Sequence, residues 1–144
     1  MDLVWSKQMS VGNETLDTEH KKILDLVNEV DRAIRARDSA RFAQALKLLE
    51  DTTRVHFGHE ARIARAINYP FDLHNLEHQH IMGEMQTIEA ELVANHGRWS
   101  ESVAEHYIQF LSRWAVDHID EDDMKMKALL ENYPYDFKPA NLAG

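Results

Sequence analysis

RFAQALKLLEDTTRVHFGHEARIARAI, residues 41–67, decides the fold. Phe42, Leu46, Leu49, Thr53, His56, Glu60, Ile63 and Ile67 recur at alternating steps of four and three, the spacing that places side chains on one stripe of a helix packed against others. Apart from Thr53 the stripe is apolar except for a histidine and a glutamate one turn apart, which therefore face the same buried axis. Asp38 and Ser39 offer a helix start before it, and Asn68, Tyr69 and Pro70 a stop after it.

Three further helices follow from the same periodicity. Upstream, His20, Ile23, Val27, Val30 and Ile34 predict a helix from about Thr15 to Arg37, capped by Asn13 or Thr15. Downstream, His74, His78, Ile81, Met85, Ile88 and Leu92 predict another, stopped by Asn95, His96 and Gly97. A fourth begins near Ser100, carries Val103, Tyr107, Leu111, Trp114 and His118 inward, and ends near Asn132 and Pro134. Beyond His118 the apolar series resumes as Met126, Leu130 and Tyr133, which extrapolates back to Asp123, five residues after His118 rather than four. One inserted residue, absorbed by a π turn, would account for that slip; Leu129 is the alternative, since it fits the unshifted register. Four amphipathic helices with short links predict an all-α, up-down-up-down antiparallel four-helix bundle preceded by an N-terminal arm.

Composition narrows the chemistry. The 144 residues suit one domain, and a net charge of −9 disfavours nucleic acid and anionic membrane surfaces. Residues 1–10 lack a basic patch followed by an apolar run, and no apolar stretch reaches bilayer length, so a cytoplasmic protein without membrane insertion is expected. With no cysteine, any transition metal must be held by nitrogen and oxygen.

Nine histidines are present, and five of them, His20, His56, His74, His78 and His118, fall on the inward stripes, at least one from each helix. A single histidine on an apolar face is usually a hydrogen-bonded core residue. Five, joined by inward carboxylates, carry a desolvation cost that bound cations relieve directly. His59, His80, His96 and His106 are off these stripes and are expected at or near the surface. Glu77 to His80 forms one Glu-x-x-His, but a ferritin-like site needs two, and no His-Glu-x-x-His of a zinc protease occurs.

In Trp5, Val11, Gly12, Asp17 to His20 and Asn28, then His56-Phe57 with Glu60, then His74 and His78, then Trp114, His118-Ile119 and Asp123, the chain resembles the bacterial hemerythrin family from Trp5 to about Pro134. The resemblance implies one hemerythrin-like domain over residues 1–144, with an arm at 1–14, the bundle at 15–131 and a tail at 132–144. It implies two non-haem iron ions with a solvent-derived oxo or hydroxo bridge, and no haem. His74, His78 and His118 would hold one iron, His20 and His56 the other, with Glu60 and Asp123 shared. Asp122, at i+4 from His118, is the alternative to Asp123 that plain helical spacing offers. Two six-coordinate ions so ligated keep one position open, on the two-histidine iron. Trp114, Ala115 and Ile119 would line the oxygen pocket beside it.

The implied function is reversible binding of molecular oxygen, as a carrier, store or delivery protein rather than an enzyme, with room for a protein recipient of the oxygen. The alternative is a di-iron sensor of oxygen or nitric oxide, or a redox catalyst, acting through a partner protein. Four residues depart from the family pattern: Glu19 where Gln is frequent, Ala61 where a second Glu is common, Ala64 where Met is frequent, and Ala115 where a large apolar residue usually lines the pocket. A small Ala115 predicts faster ligand exchange and faster loss of the oxygenated form.

Overall fold

The computed structural model describes residues 2–140; residues 141–144 of the expected tail, and Met1 of the arm, lie outside them. Four long helices form the bundle: α1 (Glu14–Arg35), α2 (Ser39–Ala66), α3 (Asp72–Ala94) and α4 (Glu101–Asp117). Helix α1 packs on α2 and α4, and α2 on α3, as short links between antiparallel neighbours require. No strand occurs among the described residues, and no helix among them is long and apolar enough to cross a membrane.

The helix starts follow the sequence. Side-chain oxygens of Asn13, Asp38 and Ser100 accept from Leu16, Arg41 and Val103 backbone N–H respectively, each satisfying a donor that the first turn leaves free. The first three helices close alike. Arg37, Asn68 and His96 take the left-handed conformation at φ 54°, 60° and 56°, and Asp38, Tyr69 and Gly97 N–H bond back to Ala33, Ala64 and Leu92 carbonyls. The first helix therefore stops two residues short of the expected Arg37, which is itself the turning residue.

The fourth helix differs from expectation in two ways. Its buried residues are Ala104, Tyr107, Ile108, Leu111, Ala115 and His118, so Tyr107, Leu111 and His118 stand inward as expected while Val103 is exposed and Trp114 only half-buried; the inward stripe runs through Ala104, Ile108, Leu111, Ala115 and His118. This series keeps steps of four and three throughout, whereas one through Val103 and Trp114 needs two consecutive steps of four. At His118 the helix widens: residues 118–122 form the anticipated π turn, and Asp123 N–H reaches the His118 carbonyl five residues back. A 3-10 turn (Asp123–Met126) and a further helical turn, α5 (Lys127–Leu130), follow it.

Two apolar cores result. The larger fills the bundle with Leu24, Val30, Phe42, Leu49, Met85 and Leu111. The smaller, around Val11, Leu16, Ile63, Ile67, Met126 and Leu130, closes the end where the arm, the α2–α3 link and the C-terminal segment meet. Asp17 ties that end together, accepting from Val11 N–H at 2.9 Å, Ser10 Oγ at 2.5 Å and Tyr135 Oη at 2.9 Å. Farther up the arm, Asn28 exchanges two 2.8 Å hydrogen bonds with the backbone of Leu3. All seven sequence-predicted polar residues occupy the layer between the two cores.

Candidate metal centre

Each helix brings its histidine to this layer from the stripe that also builds the core. His20 sits near the start of α1, His56 and Glu60 near the end of α2, and His74 and His78 in the first turns of α3. His118 and Asp123 flank the π turn. An uninterrupted α-helix would set residues five apart about 140° from each other; the wider turn lets both face inward. All seven are buried, none more than 6% exposed.

Their donor atoms form two overlapping groups, Glu60, His74, His78, His118 and Asp123 in one, His20, His56, Glu60 and Asp123 in the other. Both carboxylates span the two. Glu60 Oε1 lies 2.6 Å from His74 Nε2, while its Oε2 lies 3.1 Å from His56 Nε2. Asp123 Oδ1 lies 2.8 Å from His74 Nε2 and 3.0 Å from His118 Nε2, while its Oδ2 lies 2.7 Å from His20 Nε2. Asp122 stays outside: its Oδ2 is 3.4 Å from the opposite nitrogen of His118, Nδ1.

These contacts have the length of hydrogen bonds without their geometry. Nε2 of His20, His56 and His74 and all four oxygens of Glu60 and Asp123 are buried with no hydrogen-bond partner. Nε2 of His78 and of His118 point at each other across 3.1 Å. Seven side chains that aim lone pairs into a common space, rather than donors at acceptors, are the donor set of a cation site, and an imidazole-carboxylate set suits a borderline transition metal.

Electrostatics tell the same story in protons. Burial lowers the imidazole of His56, but the Glu19 and Glu60 carboxylates outweigh it and hold the ring up at about 9. His74, against Asp123 and Glu60, is likewise held at about 9 despite burial. His118 is raised well above the ordinary value by Asp123 and Asp122, again against burial. Asp123 lies well below the carboxylate range although burial opposes it, because three histidines face it. His78 is driven down to about 2 by burial and by its neighbours His118 and His74. Positive charge is drawn to the carboxylates, and not every ring can carry it.

Behind the cluster stand residues that the sequence did not disclose as partners. Glu19 accepts from Nδ1 of His56 at 2.7 Å and from Nδ1 of His59 at 2.6 Å, so His59 is drawn in from the surface while His80, His96 and His106 remain exposed. Asp122 is held at about 2 by its contact with His118. Its neighbour Glu77 is raised, since the Asp122 carboxylate lies beside it. Of the expected pocket residues, Ala115 and Ile119 are fully buried, and Trp114 lies at the rim, its ring 5.9 Å from that of His118 at 25°. Phe57 stacks on His78 at 3.5 Å and 3°. A groove of about 360 Å³ between α3 and α4, lined by Leu76, Ile81, Phe110 and Trp114, reaches His118.

Residues 11–130 match the model of the family described as "Hemerythrin HHE cation binding domain". Among curated proteins, the chain is similar to a bacteriohemerythrin of Pseudomonas aeruginosa, 27% identical over 122 residues that cover 84% of this chain and 76% of that one. It is 30% identical over 127 residues to a hemerythrin-like protein of Naegleria gruberi, with 88% and 92% covered. A myohemerythrin of Riftia pachyptila is 25% identical over 128 residues, with the same coverage.

Proposed function

The chain belongs to the hemerythrin HHE cation-binding family, and from that premise we propose that it holds two non-haem iron ions in the buried layer and binds molecular oxygen reversibly there. The observation that carries the reading is the division of the two carboxylates: one oxygen of Glu60 and of Asp123 faces the histidine trio, the other the histidine pair. His74, His78 and His118 would hold one ion, His20 and His56 the other, with Glu60 and Asp123 bridging and a solvent-derived oxo or hydroxo group completing the core. A reduced iron pair supplies the two electrons that oxygen binding uses and oxygen release returns.

The chain's own part is to hold, orient and exclude. Burial between two apolar cores keeps bulk water from the donors. Glu19 and Asp122 fix the rings of His56 and His118 from behind, the usual way in which an imidazole ligand is aimed. Two reduced ions balanced by two carboxylates and a hydroxide bring little net charge into the bundle, which favours such a burial. Five nitrogens against two carboxylates favour carriage over the high-valent chemistry of carboxylate-rich oxidases, so we read the protein as a carrier, store or delivery protein rather than a catalyst. Ala115 and Ile119 would line the oxygen pocket, with Trp114 at its rim. In this reading the protein works in the cytoplasm and gives oxygen to a protein still to be identified. The net charge of −9 supports the absence of nucleic-acid and membrane partners.

The test is to load the purified chain with iron, count ions per chain, reduce it without air, admit oxygen and withdraw it while recording the absorption spectrum. Two ions and a colour that comes and goes with oxygen support the proposal. Immediate irreversible oxidation favours a sensor or redox catalyst, and fewer than two ions under every loading condition refutes the di-iron reading.

A further inference from the structure

One helical turn from the cluster, on the side of the larger core, each helix contributes one residue: Ile23 three after His20, Thr53 three before His56, Ile81 three after His78, and Ala115 three before His118. All four are buried. Three are apolar and belong to the larger core; the fourth, Thr53, brings a hydroxyl into the turn next to the donor layer.

Thr53 is fully buried, and its Oγ1 has no hydrogen-bond partner. Buried helical threonines ordinarily return the hydroxyl to the carbonyl one turn back. Even the exposed Thr87 does so, donating to the Gly83 carbonyl at 3.0 Å. Leaving a hydroxyl without a partner in an apolar layer costs stability, so its presence calls for a group that it serves. Helical side chains lean toward the N-terminus of their helix, which lays the His56 imidazole over the turn that carries Thr53. The hydroxyl thus belongs to the turn of α2 that adjoins the two-histidine half of the cluster. In the same layer Ala115 is the smallest side chain.

We propose that the Thr53 hydroxyl donates a hydrogen bond to the small ligand, an anion or a diatomic molecule with an exposed acceptor atom, that binds on the His20–His56 side. The inference rests on the iron reading above and adds a polar contact to a pocket otherwise made of apolar residues. It makes Thr53 a residue that selects among ligands: those with a strong acceptor gain the hydrogen bond, and apolar ones of equal size do not.

Azide, titrated into the oxidised iron-loaded chain and followed by absorption, is the probe. Thr53→Val keeps the shape and removes the donor; Thr53→Ser keeps the donor. Thr53→Val should weaken azide binding by roughly 10- to 100-fold, the worth of a hydrogen bond to a charged acceptor, with Thr53→Ser close to the parent. Thermal melting without azide supplies the independent readout. Thr53→Val should melt at or above the parent temperature, because an unpartnered hydroxyl has been removed. Unchanged azide affinity in a Thr53→Val chain that still holds two irons overturns the inference, as does a lowered melting temperature, which would reveal a structural hydrogen bond instead. Iron analysis of the parent before azide is added keeps the two readings apart: a count below two overturns the iron reading, and this inference with it.

Discussion

Glu19 joins two histidines of a neighbouring helix, accepting from Nδ1 of His56 through one carboxylate oxygen and from Nδ1 of His59 through the other. The bond to His56 decides which ring nitrogen is free. With the proton held on Nδ1, Nε2 presents a lone pair toward Glu60, 3.1 Å away. Glu19→Ala should therefore weaken iron binding about 10- to 100-fold. Glu19→Gln should weaken it less, because an amide oxygen still accepts from Nδ1. Competition with a chelator measures the series, and equal affinity in all three chains would remove Glu19 from the account.

The carboxylate oxygens of Glu60 and Asp123 that lack hydrogen-bond partners predict a large stabilisation by metal. At an iron concentration about 100 times the dissociation constant, linkage gives about 2.7 kcal/mol. For a domain of this length that is on the order of 8 °C in melting temperature. Because Glu60 serves both donor groups, Glu60→Ala should abolish the shift, and His118→Ala should end two-iron stoichiometry. A full shift persisting in Glu60→Ala contradicts the shared-carboxylate geometry.

At the closed end of the bundle, Asp17 receives the Tyr135 hydroxyl, and the phenol is pushed up to about 12 by desolvation and by that hydrogen bond. A tyrosine whose folded value lies above its ordinary value of about 10 contributes in full below pH 10. The contribution is lost as pH rises through 12. Tyr135 is 48% exposed, so solvent screening keeps it below about 1 kcal/mol. Tyr135→Phe should erase this part of the stability loss between pH 10 and 12. Asp17→Ala should cost about 1–3 kcal/mol at neutral pH, because the buried Val11 N–H loses its acceptor. Denaturant melts at several pH values check both.

Periodicity carried much of this into the sequence, and the exceptions have physical causes. The π turn was legible because His118 and Met126 lie on stripes of different phase; Leu129 offered an unshifted register, and the structure takes the inserted residue, burying Met126 and Leu130. The inward face of α4 was harder to place, since Val103 and Ala104, Tyr107 and Ile108, Phe110 and Leu111 offer two adjacent apolar stripes. The structure buries Ala104, Tyr107, Ile108 and Leu111 from both and leaves Val103 exposed. The contact of Glu19 with His56 and His59 crosses from α1 to α2, where no local spacing announces it. Arg37 ends α1 in a conformation that glycine usually supplies, so the residue type gave no signal.

Ala115 offers the sharpest test of how the pocket governs the lifetime of bound oxygen. It is buried one turn before His118, in the layer shared with Ile23, Thr53 and Ile81, and it is the smallest of the four side chains. Ala115→Leu adds three carbons there. If the layer adjusts, the side chain displaces solvent from the ligand side of the cluster, and the oxygenated form should decay more slowly. If the layer resists, overpacking should cost about 1–3 kcal/mol, seen as a lower melting temperature before any oxygen is added. The two effects separate because autoxidation is followed spectrally on folded, iron-loaded protein, while melting reports packing alone. An unchanged decay rate in a folded Ala115→Leu chain with both irons would show that Ala115 does not govern the lifetime of bound oxygen.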